Sequence, residues 1–147
     1  MAKIPVYSVF PAPRLKPKEW SVEREARYRT NVWATERMIE QLTWYQRHKE
    51  KHKGFFVKKL ERYAIDGFDL YQGDDRPVRL EWDQVYRIGH QSTLFRVIGF
   101  YVGNPSEFIA VDAYLKSGMK LKASERERIN HAAQLRASGN WVKREVK

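Results

Sequence analysis

LFRVIGFYVGNPSEFIAVDAYLKSGMKLK, residues Leu94–Lys122, is the stretch from which the rest of the chain can be placed. Leu94–Val102 and Glu107–Leu115 are almost continuously apolar, which describes strands covered on both faces. Gly103-Asn104-Pro105-Ser106 links them as a hairpin. The first strand carries one cation, Arg96, among Phe95, Val97 and Ile98, and the second runs directly into Lys116, Lys120 and Lys122. A guanidinium on one strand and ammonium groups at the end of the next can converge on a phosphodiester.

Immediately upstream, Leu80, Trp82, Tyr86 and Ile88 alternate with Glu81, Asp83 and Arg87, the pattern of one strand with a wet face. His90-Gln91-Ser92-Thr93 then reads as a turn, and the three strands form an antiparallel meander. Downstream, Ser124-Glu125-Arg126-Glu127 fits a capping box. Ile129, Ala132, Ala133 and Arg136 follow at helical spacing, and Gly139 closes that helix. Trp141–Lys147 reads as a basic tail. Farther upstream, Phe56, Leu60 and Tyr63 mark a helix ending at Gly67. Before it, Tyr28, Val32, Ile39 and Leu42 place a helix from an N-cap at Ser21 to the charged run Arg47–Lys53. Ile4–Phe10 is a strand closed by Pro11, Pro13 and Pro17. Strand, helix, helix, meander, helix is an α+β order.

Composition narrows the partners. Twenty-eight Lys and Arg against eighteen Asp and Glu give a net charge of +10 over 147 residues. Such a domain attracts polyanions irrespective of their sequence, although basic surfaces also serve solubility or pair with acidic proteins. A hydrophobic fraction of 42% with five tryptophans supplies one real core. With no cysteine, disulfides, thiolate nucleophiles and thiolate-bound zinc are excluded. MAKIPVYSVF is too short and proline-interrupted for a signal peptide, and no apolar run approaches the roughly 20 residues of a membrane span. A soluble, cytoplasmic protein without membrane contact is the expectation. His48 and His52 sit at i and i+4 within a lysine run, accompanied only by Glu50 on another face, so no metal site is expected. Glycine-rich phosphate loops and Ser/His/Asp constellations are absent, and no cofactor is expected.

Three local signatures occur in a definite order. They are Val85-Tyr86-Arg87-Ile88, then Phe95-Arg96-Val97-Ile98-Gly99-Phe100-Tyr101, then Ala113–Lys122 leading into a Ser/Glu-capped helix with Ala132-Ala133. In this order they resemble the RelE/HigB-like toxins of type II toxin–antitoxin systems, including phage-encoded relatives, over roughly Phe55–Ser138. The resemblance implies one RelE-like domain across 1–147. Its antiparallel sheet, a three-stranded meander plus an N-terminal strand, would pack with two N-terminal helices and a C-terminal helix. Residues 1–53 would form an extended N-terminal strand–helix portion. It further implies a ribosome-dependent, metal-independent endoribonuclease (an mRNA interferase) that inhibits translation. Its partners would be a cognate antitoxin, the ribosome and mRNA. No C-terminal tyrosine matches that of RelE itself, and ParE-like relatives inhibit gyrase without nuclease chemistry.

In that reaction a 2′-hydroxyl attacks the adjacent phosphate, which requires a base, cations for the phosphorane and an acid for the departing 5′-oxygen. Arg96 is the candidate phosphate clamp, its rival role an ion pair with Asp83 or Asp112. Arg87 would complete the basic concavity, against a plain cross-strand ion pair. Lys116, Lys120 and Lys122 would hold the backbone, one of them polarising the 2′-hydroxyl if its pKa were depressed by its cationic neighbours; otherwise they are a solvated run. His90 has the pKa for proton transfer but is equally a simple turn residue. Tyr114 would stack on a base or move a proton, or only pack. Lys58 and Lys59, with the Arg47–Lys53 run, read as phosphate-tracking surface. Two other classes compete. One is a non-catalytic binding protein of the same fold, with Trp33, Trp44 and Tyr45 as partner surface. The other is a DNA-binding protein, for which no recognition helix is evident.

Overall fold

The computed structural model describes residues 3–10, 28–48, 55–73, 76–89, 95–102, 107–115 and 123–144. In chain order these form β1 (Ile4–Phe10), β2 (Asn31–Thr35), α1 (Glu36–His48), α2 (Phe55–Asp66) and a 3-10 turn (Phe68–Tyr71). There follow β3 (Val78–Leu80), β4 (Tyr86–Ile88), β5 (Phe95–Tyr101), β6 (Glu107–Leu115), α3 (Ala123–Ser138) and β7 (Trp141–Arg144).

The strands make one mixed sheet in the order β3-β4-β5-β6-β2-β1-β7. β3 through β6 are antiparallel neighbours. β2 joins β6 in parallel, β1 is antiparallel to β2, and β7 is parallel to β1. Helices lie on both faces. Met38 and Leu42 of α1 and Leu60 and Tyr63 of α2 pack with Phe95, Val97 and Phe108. On the opposite face Ile129, Ala132 and Leu135 of α3 cover Ile98, Phe100, Ile109 and Val111. The small Ala132 permits the close helix–sheet approach that two large residues would prevent. The result is an α+β domain of three layers.

Four sequence expectations change. Asn31–Thr35 is a strand, not the middle of a helix begun at Ser21. Val32 and Ala34 face α1 while Trp33 faces α3, a period of two that the helical spacing of Val32, Ile39 and Leu42 conceals. The helix starts at Glu36, and Thr35 Oγ1 accepts the Met38 N–H at 3.2 Å as its cap. Ser21 lies outside the described residues. Second, Leu80–Ile88 is not one strand but β3, a tight turn and β4, so the antiparallel run has four members. Asp83 and Gln84 have φ of 51° and 63°, and Val85 N–H donates to Trp82 O at 2.9 Å. Two consecutive left-handed residues give the turn the twist a hairpin needs. Third, α3 begins at Ala123, so Ser124 and Glu127 stand inside its first turns instead of forming the cap. Fourth, Trp141–Arg144 is β7 rather than a tail. Gly139 (φ 65°) ends α3, and Trp141 then meets Phe100 edge-on at 5.1 Å.

One irregularity positions the candidate site. The β5–β6 register runs from Phe95↔Leu115 to Ile98↔Asp112, then resumes at Gly99↔Ala110, leaving Val111 as an extra residue. Ile109 and Val111 face α3, as does Tyr114, while Ala110 and Ala113 face α1 and α2. Strict alternation would have turned Tyr114 to the other side. The Thr35 hydroxyl that caps α1 also donates to Val111 O at 2.6 Å. Asp112, almost fully buried, accepts from its neighbour's backbone N–H at 2.8 Å, from Arg37 Nε at 3.1 Å and from Arg128 Nη1 at 2.9 Å. This carboxylate therefore ties α1 and α3 to β6 from opposite sides.

Candidate functional site

Strand register assembles a row of charge. Arg79 of β3 stands opposite Arg87 of β4, Arg87 opposite Ile98 of β5, and Arg96 opposite Tyr114 of β6. Tyr86 and Ile88 pack towards α1 and α2, so Arg87 and its cross-strand neighbours face the α3 side. Arg79, Arg87, Arg96 and Tyr114 thus span four adjacent strands on one face.

Arg96 lies across the backbone of Gly89. A Cβ built on that glycine would stand 2.5 Å from Arg96 Cδ, 2.6 Å from Nε and 2.8 Å from Cζ. Arg96 Nη1 also donates to Phe95 O at 2.8 Å. Burial lowers its pKa, and the positive charges of Arg87 and Arg79 push in the same direction, against the Tyr114 and Tyr45 hydroxyls. A guanidinium stays protonated in any case. Arg87 is largely buried, and its Nε pairs with Glu81 Oε1 at 3.1 Å. An ion pair is formed, with Glu81, so the fold itself supplies a counter-charge for this residue. Asp112, one rival partner for Arg96, is engaged by Arg37 and Arg128 instead.

Tyr114 is nearly inaccessible, and its hydroxyl lies beside Arg87 and donates to no acceptor. Burial raises its pKa most; the adjacent Arg87 opposes this, while Glu125 and Glu81 add to it. At neutral pH it is a phenol that can donate a proton, not a phenolate. Glu125, in the first turn of α3, is also buried, with Oε2 unpartnered. Sequence reasoning missed Glu125 as a site residue. The available signal was its position four residues before Ile129 and seven before Ala132, on the stripe that meets the sheet.

Tyr114 and Glu125 line a cleft of about 550 Å³ at the C-terminal end of β6. Glu40 and Trp44 of α1 form one wall, Leu115 part of the floor, and Arg128 of α3 the other wall. It communicates with the arginine row through Tyr114, which belongs to both.

Of the residues singled out in the sequence, Arg96, Arg87 and Tyr114 are brought together. His90, Lys116, Lys120 and Lys122 lie outside the described residues. Lys58 and Lys59 are on α2, across the sheet from the arginine row. The expected aromatic partner surface is not assembled. Tyr45 is buried, stacked on Phe95 at 4.5 Å, and Trp33 packs in the α3 layer beneath Lys143; Trp44 alone of the three is exposed. His48 and His52 give no described side-chain geometry. Among the described residues no three His, Asp or Glu groups converge as metal ligands, and no helix is long and apolar enough to cross a membrane.

No protein-family model, curated protein or solved structure matches the chain.

Proposed function

We propose that this chain is a RelE/HigB-like toxin of a type II toxin–antitoxin system, a cytoplasmic, ribosome-dependent endoribonuclease that cleaves mRNA without metal. The observation that carries the reading is the placement of Arg96 directly opposite Tyr114 with Arg87 adjacent. That grouping offers two forked cations beside a tyrosine on one face of the sheet. The order β2, α1, α2, the antiparallel strands and α3 supports a RelE-like unit in which β2 takes the place first given to β1. β1 and β7 then extend the sheet beyond it.

In the proposed reaction Arg96 and Arg87 hold the non-bridging oxygens of the scissile phosphate. The 2′-oxygen forms its bond to phosphorus and releases its proton to a base, a role assigned to Lys116, which follows β6 in the sequence. The bond to the 5′-oxygen breaks, water supplies the proton that this oxygen needs, and Tyr114 holds the adjacent base. An antitoxin that covers the arginine face would silence the activity.

The test is mRNA end mapping in a translating extract with wild type and Arg96→Ala. Cuts that require both the ribosome and Arg96 are expected. One observation favours a second reading, a non-catalytic binding protein of the same fold: the ion pair that already occupies Arg87. Intact mRNA would establish that reading, and arrested gyrase in the same extract would make the partner gyrase.

A further inference from the structure

The cleft beside the arginine row has the opposite character to the row itself. Among the described residues Glu40 and Glu125 line it, and the one cation among them, Arg128, is engaged by Asp112 at 2.9 Å. Two buried polar groups at its wall nevertheless stay open: Glu125 Oε2, on a residue 3% exposed, accepts from nothing, and the Tyr114 O–H, on a residue 6% exposed and beside Arg87, donates to nothing. A buried acceptor and a buried donor left open each cost free energy unless a ligand or water completes them. They are complementary in kind. The carboxylate only accepts and the phenol donates. Exposed Trp44 and the side chain of Leu115 give the cleft flat apolar walls, and its volume falls within the range of ordinary small-molecule sites.

We infer that this cleft is a guanine pocket, which reads the base next to the phosphate held by Arg96. Guanine presents two parallel N–H donors, N1–H and N2–H, beside a carbonyl, O6. The donors match the Glu125 carboxylate, and O6 accepts from the Tyr114 hydroxyl. Adenine and cytosine place an unprotonated ring nitrogen beside their amino group, and uracil offers one ring N–H between two carbonyls, so none repeats the pair of donors. Tyr114 joins the pocket to the arginine row, so one nucleotide can place its base in the acidic cleft and its phosphate on the cations. The inference rests on the nucleic-acid reading above for its phosphate half only.

The experiment measures binding of GMP, IMP, AMP, CMP and UMP to the full chain by calorimetry, and in parallel the binding of a uridine homopolymer to wild type and Arg96→Ala. GMP should bind about tenfold or more tighter than AMP, CMP or UMP, the discrimination of one good bidentate pair. IMP, which lacks the 2-amino group, should lose most of that advantage. Glu125→Gln should abolish the preference, and Tyr114→Phe should weaken GMP severalfold. Should Glu125→Gln fail to fold, the GMP-to-IMP ratio on wild type decides alone. Equal binding of all five nucleotides, or equal GMP and IMP, overturns the pocket. If the homopolymer still binds through Arg96 in that case, the nucleic-acid reading survives. A GMP preference without homopolymer binding keeps the pocket and removes the phosphate clamp.

Discussion

Replacing Gly89 by alanine tests the arginine seat without altering any charge. The added Cβ would stand 2.5–2.8 Å from three atoms of Arg96, where relaxed carbon contacts need about 3.5 Å. The guanidinium must therefore withdraw by roughly 1 Å. Gly89 is not among the left-handed glycines, so its backbone accepts alanine without strain. The stability terms nearly cancel. Losing the Arg96–Phe95 hydrogen bond costs about 1 kcal/mol, and restricting the unfolded chain returns about 0.4–1 kcal/mol. A net change within about 1 kcal/mol moves Tm by no more than a few degrees. The functional change is larger, because a misplacement of about 1 Å at a reacting group costs on the order of 100-fold in rate. The assay pairs thermal unfolding with mRNA cleavage and with RNA binding across a salt series, for Gly89→Ala, Arg96→Ala and Arg96→Lys. Gly89→Ala should fold normally and be nearly as impaired as Arg96→Ala, whose salt slope should be shallower by about 0.7. Full activity in Gly89→Ala alongside an inactive Arg96→Ala would refute the idea that the seat over Gly89 is the working position.

Asp112→Ala should destabilise by about 2–3 kcal/mol, since it strands a backbone N–H and removes two charge-assisted bonds; Arg37→Ala should cost under about 1 kcal/mol because Arg37 is mostly exposed. Urea unfolding of both distinguishes them, and equal losses would refute the ranking. Glu81→Gln removes the carboxylate held by Arg87, so RNA should bind severalfold tighter; unchanged affinity would exclude Arg87 from the interface. Tyr101 has its pKa raised, by burial first and by Tyr86 and Asp69 after it, and burial likewise raises Tyr63 and Tyr45. A phenol harder to ionise folded than unfolded contributes stability fully present below about pH 10, which fades as pH rises through the folded value. Denaturant midpoints should thus fall steeply above about pH 10 and less so in Tyr101→Phe; a flat profile would contradict the burial.

The sequence was most legible where a segment's own pattern determines its structure. β5 and β6 are apolar on both faces, and α2 combines the Leu60–Tyr63 spacing with Gly67, which takes φ 100° at its end. Where partners decide, reading failed. Val32, Trp33 and Ala34 satisfy either period until β1 and β6 flank them. Trp141–Arg144 becomes a strand only because β1 offers an edge. The Asp83–Gln84 turn lacks the glycine that would have announced it. At the site, Arg96 and Tyr114 were found because they interrupt or end an apolar run. Glu125 hid within a charged first turn, and the bulge left only one trace, a lone carboxylate, Asp112, inside β6.

The single extra residue in β6 acts like a frameshift in the strand's inside–outside code. Its two halves are written in opposite phase, and only the second phase delivers the tyrosine to the arginines. Deleting Val111 would bring the two halves into one phase while leaving Asp112 opposite Ile98 and Tyr114 opposite Arg96, so the tyrosine would keep its place and the strand would lose only its kink. A variant of that kind separates the bend of the strand from the side chains the strand carries, something no substitution of a single functional group can do.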